Sequence, residues 1–303
     1  MNDASDGDRY LVVGNPIAHS RSPEIHAEFA RQTGQPISYR RQLIPTEPAD
    51  AFDRVVAAFA AAGGRGLNVT LPFKERAFAC ATRHSERALQ AGAVNTLALG
   101  DDGIYGDNTD GPGLVSDLQG RLGFDLHGRS VLLLGAGGAA RGVIMSLLQA
   151  GVARLTVANR TPARARELAA RFNAAPAVRD SGLAAVGAVA LDAAPRAALV
   201  INATSSGVLN AALALPPDLF RDCSLAYDCV YGAQDTAFMR MARAGGATQA
   251  SDGLGMLVEQ AAESFLIWRG VRPQTAPVFR MLRASVASVA SVAAVAARAA
   301  DGA

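Results

Sequence analysis

Lys74 is the only lysine in a chain of 303 residues that carries twenty-eight arginines. A guanidinium keeps its proton in proteins, whereas a lysine amine can release one and take it back. A lysine in a chain that otherwise uses arginine for fixed positive charge is therefore a candidate for proton transfer. The competing reading is a surface lysine left over by an Arg- and Ala-rich composition. The neighbours favour chemistry: in GLNVTLPFKE, Asn68 and Thr70 lie on a short strand that runs to Pro72, and a helix is predicted to begin near Lys74. Amide, hydroxyl and ammonium are thus gathered at a strand end, where sheets of this kind bind ligands.

Two further segments have chemical potential. GNPIAHSRSP places Ser20 and Ser22 two apart in a loop closed by Pro23 and entering a helix. Hydroxyls and free amides there can receive a carboxylate, although each serine alone also reads as a plain helix cap. GAGGAA, residues 135 to 140, follows the apolar run VLLL and opens a helix. Gly135 permits the tight turn, Gly137 lets backbone approach a pyrophosphate, and the small Ala140 lets helix pack on strand. Ala136, Gly138 and Ala139 lie within this turn, and anion binding uses the free amides at the helix N-terminus.

An NAD site usually carries an Asp or Glu at the tip of the next strand. Here that strand ends VANRTPARARE, with Asn159, Arg160 and Arg164 at the tip and no acid until Glu167. A guanidinium forks onto phosphate oxygens, so the tip suits the 2′-phosphate of NADP. Solvated helix surface is the alternative for the two arginines.

These residues need a frame. Apolar runs alternate with helical patterns from Arg9: YLVVG, the stretch after Pro23, ISYRRQLI, the Ala/Phe-rich helix of residues 52 to 61, and GLNVT. A cleaner βαβ series starts at VLLLG, continues through a helix over 138 to 149 and a strand at RLTVANR, and reaches ALVINAT. The pattern predicts an α/β protein with mostly parallel sheets, the second half a doubly wound, Rossmann-like nucleotide-binding domain. The chain exceeds the size at which a single core stops growing. A polar, glycine-rich crossing, GDNTDGPGL, sets the first boundary at Asp110. With the helix after residue 253 expected to pack back on the first domain, the expected domains are 1–109 plus 253–303, and 110–252. A late helix with Leu254, Leu257, Val258, Ala261, Ala262 and Phe265 on one face reads as core. The tail from 284 to 303 places Val286, Val289, Val292 and Val295 three apart, a weak helical stripe with no assigned function.

Composition excludes several classes. A formal charge of +2 with scattered arginines gives no nucleic-acid-binding field. Cys80, Cys223 and Cys229 are an odd set without CxxC spacing, so neither a disulfide framework nor a zinc site is indicated. Reduced thiols and a polar, acidic N-terminus without a signal-peptide pattern lead to an expected cytoplasmic location. The Ala-rich tail is too weakly apolar to insert in a membrane. Among the four histidines, His19 is the nearest to the candidate site and reads as a loop hydrogen-bonder. His26, His84 and His127 have no evident catalytic or metal partner.

GNPIAHSRSP, GLNVTLPFKE, GAVNT, GDNTDG, GAGGAARG, NRT, INATSSG and DGLGMLVEQAA occur in the order found in the shikimate dehydrogenase family, which the chain resembles over residues 9 to 282. The resemblance implies a two-domain enzyme with a discontinuous substrate domain, reducing 3-dehydroshikimate to shikimate reversibly with NADPH in aromatic amino-acid biosynthesis. It implies Lys74 and Asp110 as the catalytic pair, and Ser20 and Ser22 as holders of the substrate carboxylate. By the same resemblance Asn68, Thr70, Asn95 and Gln260 are expected to hold ring hydroxyls and order the site, and Tyr231 to face the substrate. The cofactor set extends from residues 135–141 to Asn159, Arg160, Thr161, Arg164, Thr204 and Gly253. The stretch YDCVYGAQDTAF departs from the family in lacking the proline or basic residue often found after the tyrosine, and in carrying Cys229 where a bulkier residue is common.

Ketone reduction by hydride develops an alkoxide that must be protonated. A lysine ammonium can stabilise that oxygen and supply the proton, and the amine can remove it in reverse. Asp110 would orient the ammonium and exchange a hydrogen bond with a neighbouring substrate hydroxyl. Rival expectations are a quinate/shikimate or aminoshikimate dehydrogenase and a non-catalytic NADP-binding regulator. The latter would be expected to lose the Lys74 and Asp110 pair, which is intact. The remaining partner is a small molecule, with the protein a monomer or homodimer.

Overall fold

The structure is a computed structural model that describes residues 7–204 and 215–286. Ser205, Ser206 and Gly207 of INATSSG, and the tail valines 289, 292 and 295, lie outside the described residues. The chain forms two compact units: one gathers the described residues of 1–114, 141–146 and 258–275, the other those of 115–140, 147–257 and 276–303. These units follow packing and divide the chain at other points than the expected limits of 110 and 253.

In the first unit the strands are β1 (Asp8–Gly14), β2 (Ile37–Leu43), β3 (Gly64–Val69), β4 (Arg83–His84), β5 (Thr96–Gly100) and β6 (Gly103–Asp107). Between them run α1 (Ser22–Thr33), α2 (Ala51–Ala61), α3 (Lys74–Cys80) and α4 (Glu86–Ala91), and α5 (Asp110–Ser116) follows. The sheet order is β2-β1-β3-β5-β6-β4. β1 pairs in parallel with β2 and β3, but β5 is antiparallel to both β3 and β6. That hairpin is a feature the alternating strand–helix pattern did not contain. Its signal is the pair Asp101-Asp102 followed by Gly103 at φ 100°, a turn conformation that glycine adopts without steric cost.

β3 shows how the sequence divides the unit. Successive side chains of a strand point to opposite faces. Leu67 and Val69 enter the apolar core with Leu11, Val13, Phe52 and Val56. Asn68, between them, meets Ser264 of α10 (Leu254–Arg269) instead. α10 buries Leu254, Val258, Ala261, Ala262 and Phe265 of the stripe read as core, and leaves Leu257 half-buried.

The second unit holds β7 (Ser130–Leu134), β8 (Arg154–Asn159), β9 (Val186–Ala190), β10 (Leu199–Asn202), β11 (Leu225–Asp228) and β12 (Gln249–Asp252). Its helices include α6 (Gly138–Gln149), α7 (Pro162–Asn173), α8 (Pro176–Arg179) and α9 (Ala237–Ala244), with 141–146 of α6 grouped in the first unit. Every pairing is parallel, in the order β12-β11-β10-β7-β8-β9. This is the dinucleotide-binding order, and it reverses between β7 and β10, where such sheets bind ligands. The π-helical turn Asp117–Arg121 is anchored in this unit. Buried Asp117 accepts two bonds from Arg121, at 2.5 and 2.9 Å, and one from the Tyr227 hydroxyl at 2.7 Å. Helical residues 275–286 follow, with Val278 and Leu282 buried and Phe279 under the Arg121 guanidinium.

Candidate active site

Lys74 is the first residue of α3, and the turn before it closes through Phe73 N–H on Thr70 O at 3.0 Å. This geometry aims Lys74 at Asp110, the first residue of α5, and its ammonium pairs with Asp110 Oδ2. The two side chains are only 13% and 6% exposed, so the ion pair is internal and the leftover-surface reading of Lys74 fails. Asn95 Nδ2 donates to Asp110 Oδ1 at 2.8 Å, and Asn95 Oδ1 accepts from Thr109 N–H at 2.9 Å. Gln260 Oε1 receives a longer bond of 3.4 Å from Asn95 Nδ2. The adjacent Val94 N–H holds Lys74 O at 2.9 Å. Lysine, aspartate, asparagine and glutamine therefore form one connected cluster.

Asn68 belongs to the layer beneath. Its Oδ1 accepts from the Tyr39 hydroxyl at 2.7 Å, and its Nδ2 donates to Ser264 Oγ, Thr96 Oγ1 and Asn95 O at 2.9, 3.2 and 3.3 Å. Of the two roles the resemblance implies, these bonds serve the ordering one. Thr70 lies just past the end of β3, half-buried, with its N–H on Val13 O. Ser20 Oγ donates to Ser22 Oγ at 3.1 Å and accepts from the Ser22 amide at 3.3 Å. Arg21 occupies the cap position of α1 and makes no side-chain cap. The paired hydroxyls thus stand at a helix start where an anion can be received.

In the second unit, Gly135 has φ 108°, and a Cβ there would lie 3.0 Å from Ala203 O at the switch point. A Cβ on Gly137 would meet nothing within 4 Å, leaving its backbone open to a ligand. Gly138 begins α6, and buried Ala140 lets that helix sit on the sheet. Arg141 reaches to 3.6 Å from Glu75. At the end of β8, Asn159 Nδ2 donates to Thr161 O at 3.0 Å, and Arg160, Thr161 and Arg164 are exposed. Among the described residues no carboxylate pairs with the Arg160 or Arg164 guanidinium at this tip. The residues present therefore fit a dinucleotide bearing a 2′-phosphate, with the glycine turn for the pyrophosphate.

Thr204 Oγ1 donates to Asn202 Oδ1 at 2.7 Å. Asn202 Nδ2 and Val230 N–H in turn donate to Asp228 Oδ1, at 3.0 and 3.2 Å. Burial pushes the Asp228 carboxyl up from its ordinary pKa. Tyr231 lies half-buried three residues beyond β11. A Cβ on Gly253 would fall 2.4 Å from Cys229 O, so a close crossing of backbones requires glycine there. Tyr39, Thr109, Ser264, Asn202 and Asp228 were not singled out from the sequence. The motifs INATSSG and DCVYG marked the last two, but their side-chain partnership spans 26 residues.

A parallel sheet in dinucleotide-binding order with a glycine turn at its switch point, together with a buried lysine–carboxylate pair, defines a nicotinamide-nucleotide-dependent oxidoreductase. Residues 12–97 match the family model for the shikimate dehydrogenase substrate binding domain, 118–207 that for shikimate/quinate 5-dehydrogenase, and 253–278 that for the shikimate 5′-dehydrogenase C-terminal domain. The shikimate dehydrogenase (NADP(+)) of Aromatoleum aromaticum is 58% identical, covering 91% of this chain and 97% of that protein. The enzyme of the same name from Bordetella petrii is 54% identical over 94% of this chain and 99% of its own length. Among solved structures, the Thermus thermophilus shikimate 5-dehydrogenase in complex with NADP(H) and shikimate superposes with a TM-score of 0.78 at 37% identity, covering 90% of this chain and 97% of that one. The chain belongs to the shikimate dehydrogenase family.

Proposed function

We propose that this protein catalyses the reversible, NADPH-dependent reduction of 3-dehydroshikimate to shikimate in aromatic amino-acid biosynthesis. The observation that carries the proposal is the internal Lys74–Asp110 pair, braced by Asn95, in a chain 58% identical to a shikimate dehydrogenase. When bound, the nicotinamide supplies the hydride. Lys74 stabilises the oxygen on which negative charge develops and delivers its proton there, and in the oxidative direction the amine takes it back. Asp110 keeps the ammonium oriented and accepts from a neighbouring substrate hydroxyl.

Ser20 and Ser22 receive the substrate carboxylate. Asn68, Thr70, Asn95 and Gln260 hold ring hydroxyls and order the site, and Tyr231 faces the substrate. Residues 135–141 hold the pyrophosphate, while Asn159, Arg160, Thr161 and Arg164 hold the adenosine phosphate; Thr204 and Gly253 complete the cofactor contacts. The working division is a substrate domain of 1–109 plus 253–303 and a dinucleotide domain of 110–252. Three free cysteines support a reducing, cytoplasmic setting, with the protein a monomer or homodimer.

The deciding experiment offers purified protein shikimate or quinate, each with NADP or NAD, and follows reduced cofactor. Turnover of shikimate with NADP is the expected optimum. Preference for quinate would move the assignment to a quinate/shikimate dehydrogenase, and silence with every pair would leave a cofactor-binding protein without turnover.

A further inference from the structure

Asn108 sits two residues before Asp110 and is 1% exposed. Its Oδ1 accepts from Asp110 N–H at 3.2 Å, and its Nδ2 donates to Ala93 O at 3.0 Å. Ala93 opens the segment whose next two residues hold Lys74 O and Asp110 Oδ1. One amide therefore connects the backbone of Asp110 to the segment, residues 93–95, that grips Lys74. Asn108 is itself anchored: its N–H donates to Asp107 Oδ1 at 2.7 Å, and Arg87 clamps the Asp107 carboxylate at 2.6 and 2.9 Å.

The opposite side is closed by Gly142 on α6. A Cβ on Gly142 would lie 2.8 Å from Asn108 Oδ1 and 3.0 Å from Asp110 Oδ2. A Cβ on Gly111 would lie 2.6 Å from Gly142 O. Only hydrogens at 111 and 142 let α5 and this part of α6 cross so closely. The lack of a side chain at Gly142 thus leaves room for both the turn of Asn108 and the carboxylate of Asp110.

We infer that Asn108, seated against Gly142, is the positioning residue that sets the Asp110 carboxylate against Lys74. The side chain must both accept from Asp110 N–H and donate to Ala93 O, which asparagine does and neither aspartate nor an aliphatic residue can. Side chains of this type fix a turn by bonding backbone two residues on. The catalytic consequence follows because a displacement of about 1 Å at a reacting group costs on the order of 10²-fold in rate.

This inference rests on the dehydrogenase reading, and the uniqueness of Lys74 allows a test that does not. With lysine labelled at its ε-carbon, the protein gives a single side-chain NMR signal, that of Lys74. Asn108→Ala and Gly142→Ala should each move that signal from its wild-type position. In the shikimate assay the two alanine variants should lose about 10- to 100-fold in kcat with shikimate KM and NADP affinity changed by less than about threefold. A Lys74 signal unmoved in both alanine variants would overturn the inference, as would a loss spread equally over kcat, KM and NADP affinity. An inactive wild-type protein with a Lys74 signal that responds as expected would instead refute the proposed reaction and leave the positioning role standing.

Discussion

Lys74 and Asp110 meet inside the first unit with the carboxylate held at both oxygens, Oδ2 by the ammonium and Oδ1 by Asn95 Nδ2 at 2.8 Å. A carboxylate so constrained cannot swing away from the lysine. The pair is therefore organised before any substrate hydroxyl arrives, and its orientation costs nothing at the moment of reaction.

Lys74→Ala should lower kcat by roughly 10²- to 10⁴-fold, the usual loss when an acid–base group is removed, with a much smaller change in shikimate KM. Lys74→Arg should fail nearly as badly, because it retains charge without a proton it can release. Steady-state kinetics on variants shown to be folded by circular dichroism check both. Near-normal turnover in either would remove Lys74 from the mechanism.

His26 lies flat against Tyr39, ring centroids 4.2 Å apart at 8°, with both ring nitrogens buried and unbonded. Burial lowers its pKa from 6.5 to about 3, opposed only weakly by Asn68, whose amide is already committed to Tyr39, Thr96 and Ser264. Between those two values the unfolded chain takes up a proton that the folded protein refuses. The His26 contribution is thus fully present above about pH 6.5 and is lost as pH falls toward about 3, at up to about 1.4 kcal/mol per pH unit. Urea unfolding across this range should show a shallower decline for His26→Phe than for the wild type. Identical slopes would refute the assignment.

Arg160 and Arg164 stand exposed just beyond β8, and neither pairs with a carboxylate among the described residues. Hydrogen bonds to charged groups contribute about 1.5–3 kcal/mol each. Replacing both by alanine should raise the KM for NADP by about tenfold or more, while the KM for NAD, which lacks the 2′-phosphate, changes little. Equal losses for the two cofactors would point to a general effect on the loop.

Much of this protein is legible in its sequence because the relevant physics is local. The glycine turn after VLLL, the helix over 138–149 and the arginine tip depend on residues within a few positions of one another, so their order alone states the turn, the helix start and the cofactor preference. The lone lysine beside Asn68 and Thr70 is visible for the same reason. The β5–β6 hairpin was written in Asp101-Asp102-Gly103, but a two-residue turn is a weak signal within a pattern otherwise built from strands and helices.

The sequence by itself determined the elements, the glycine turn and the candidate chemistry of Lys74. Tertiary structure alone decided which groups meet: Asn68 is joined to Ser264 across 196 residues and Asp117 to Tyr227 across 110. Helix and turn signals reside in neighbouring residues, whereas side-chain hydrogen bonds depend on directions that exist only once strands are registered and helices packed. Lys74 became half of an ordered pair when α3 and α5 brought it against Asp110, with α10 supplying the polar layer beneath.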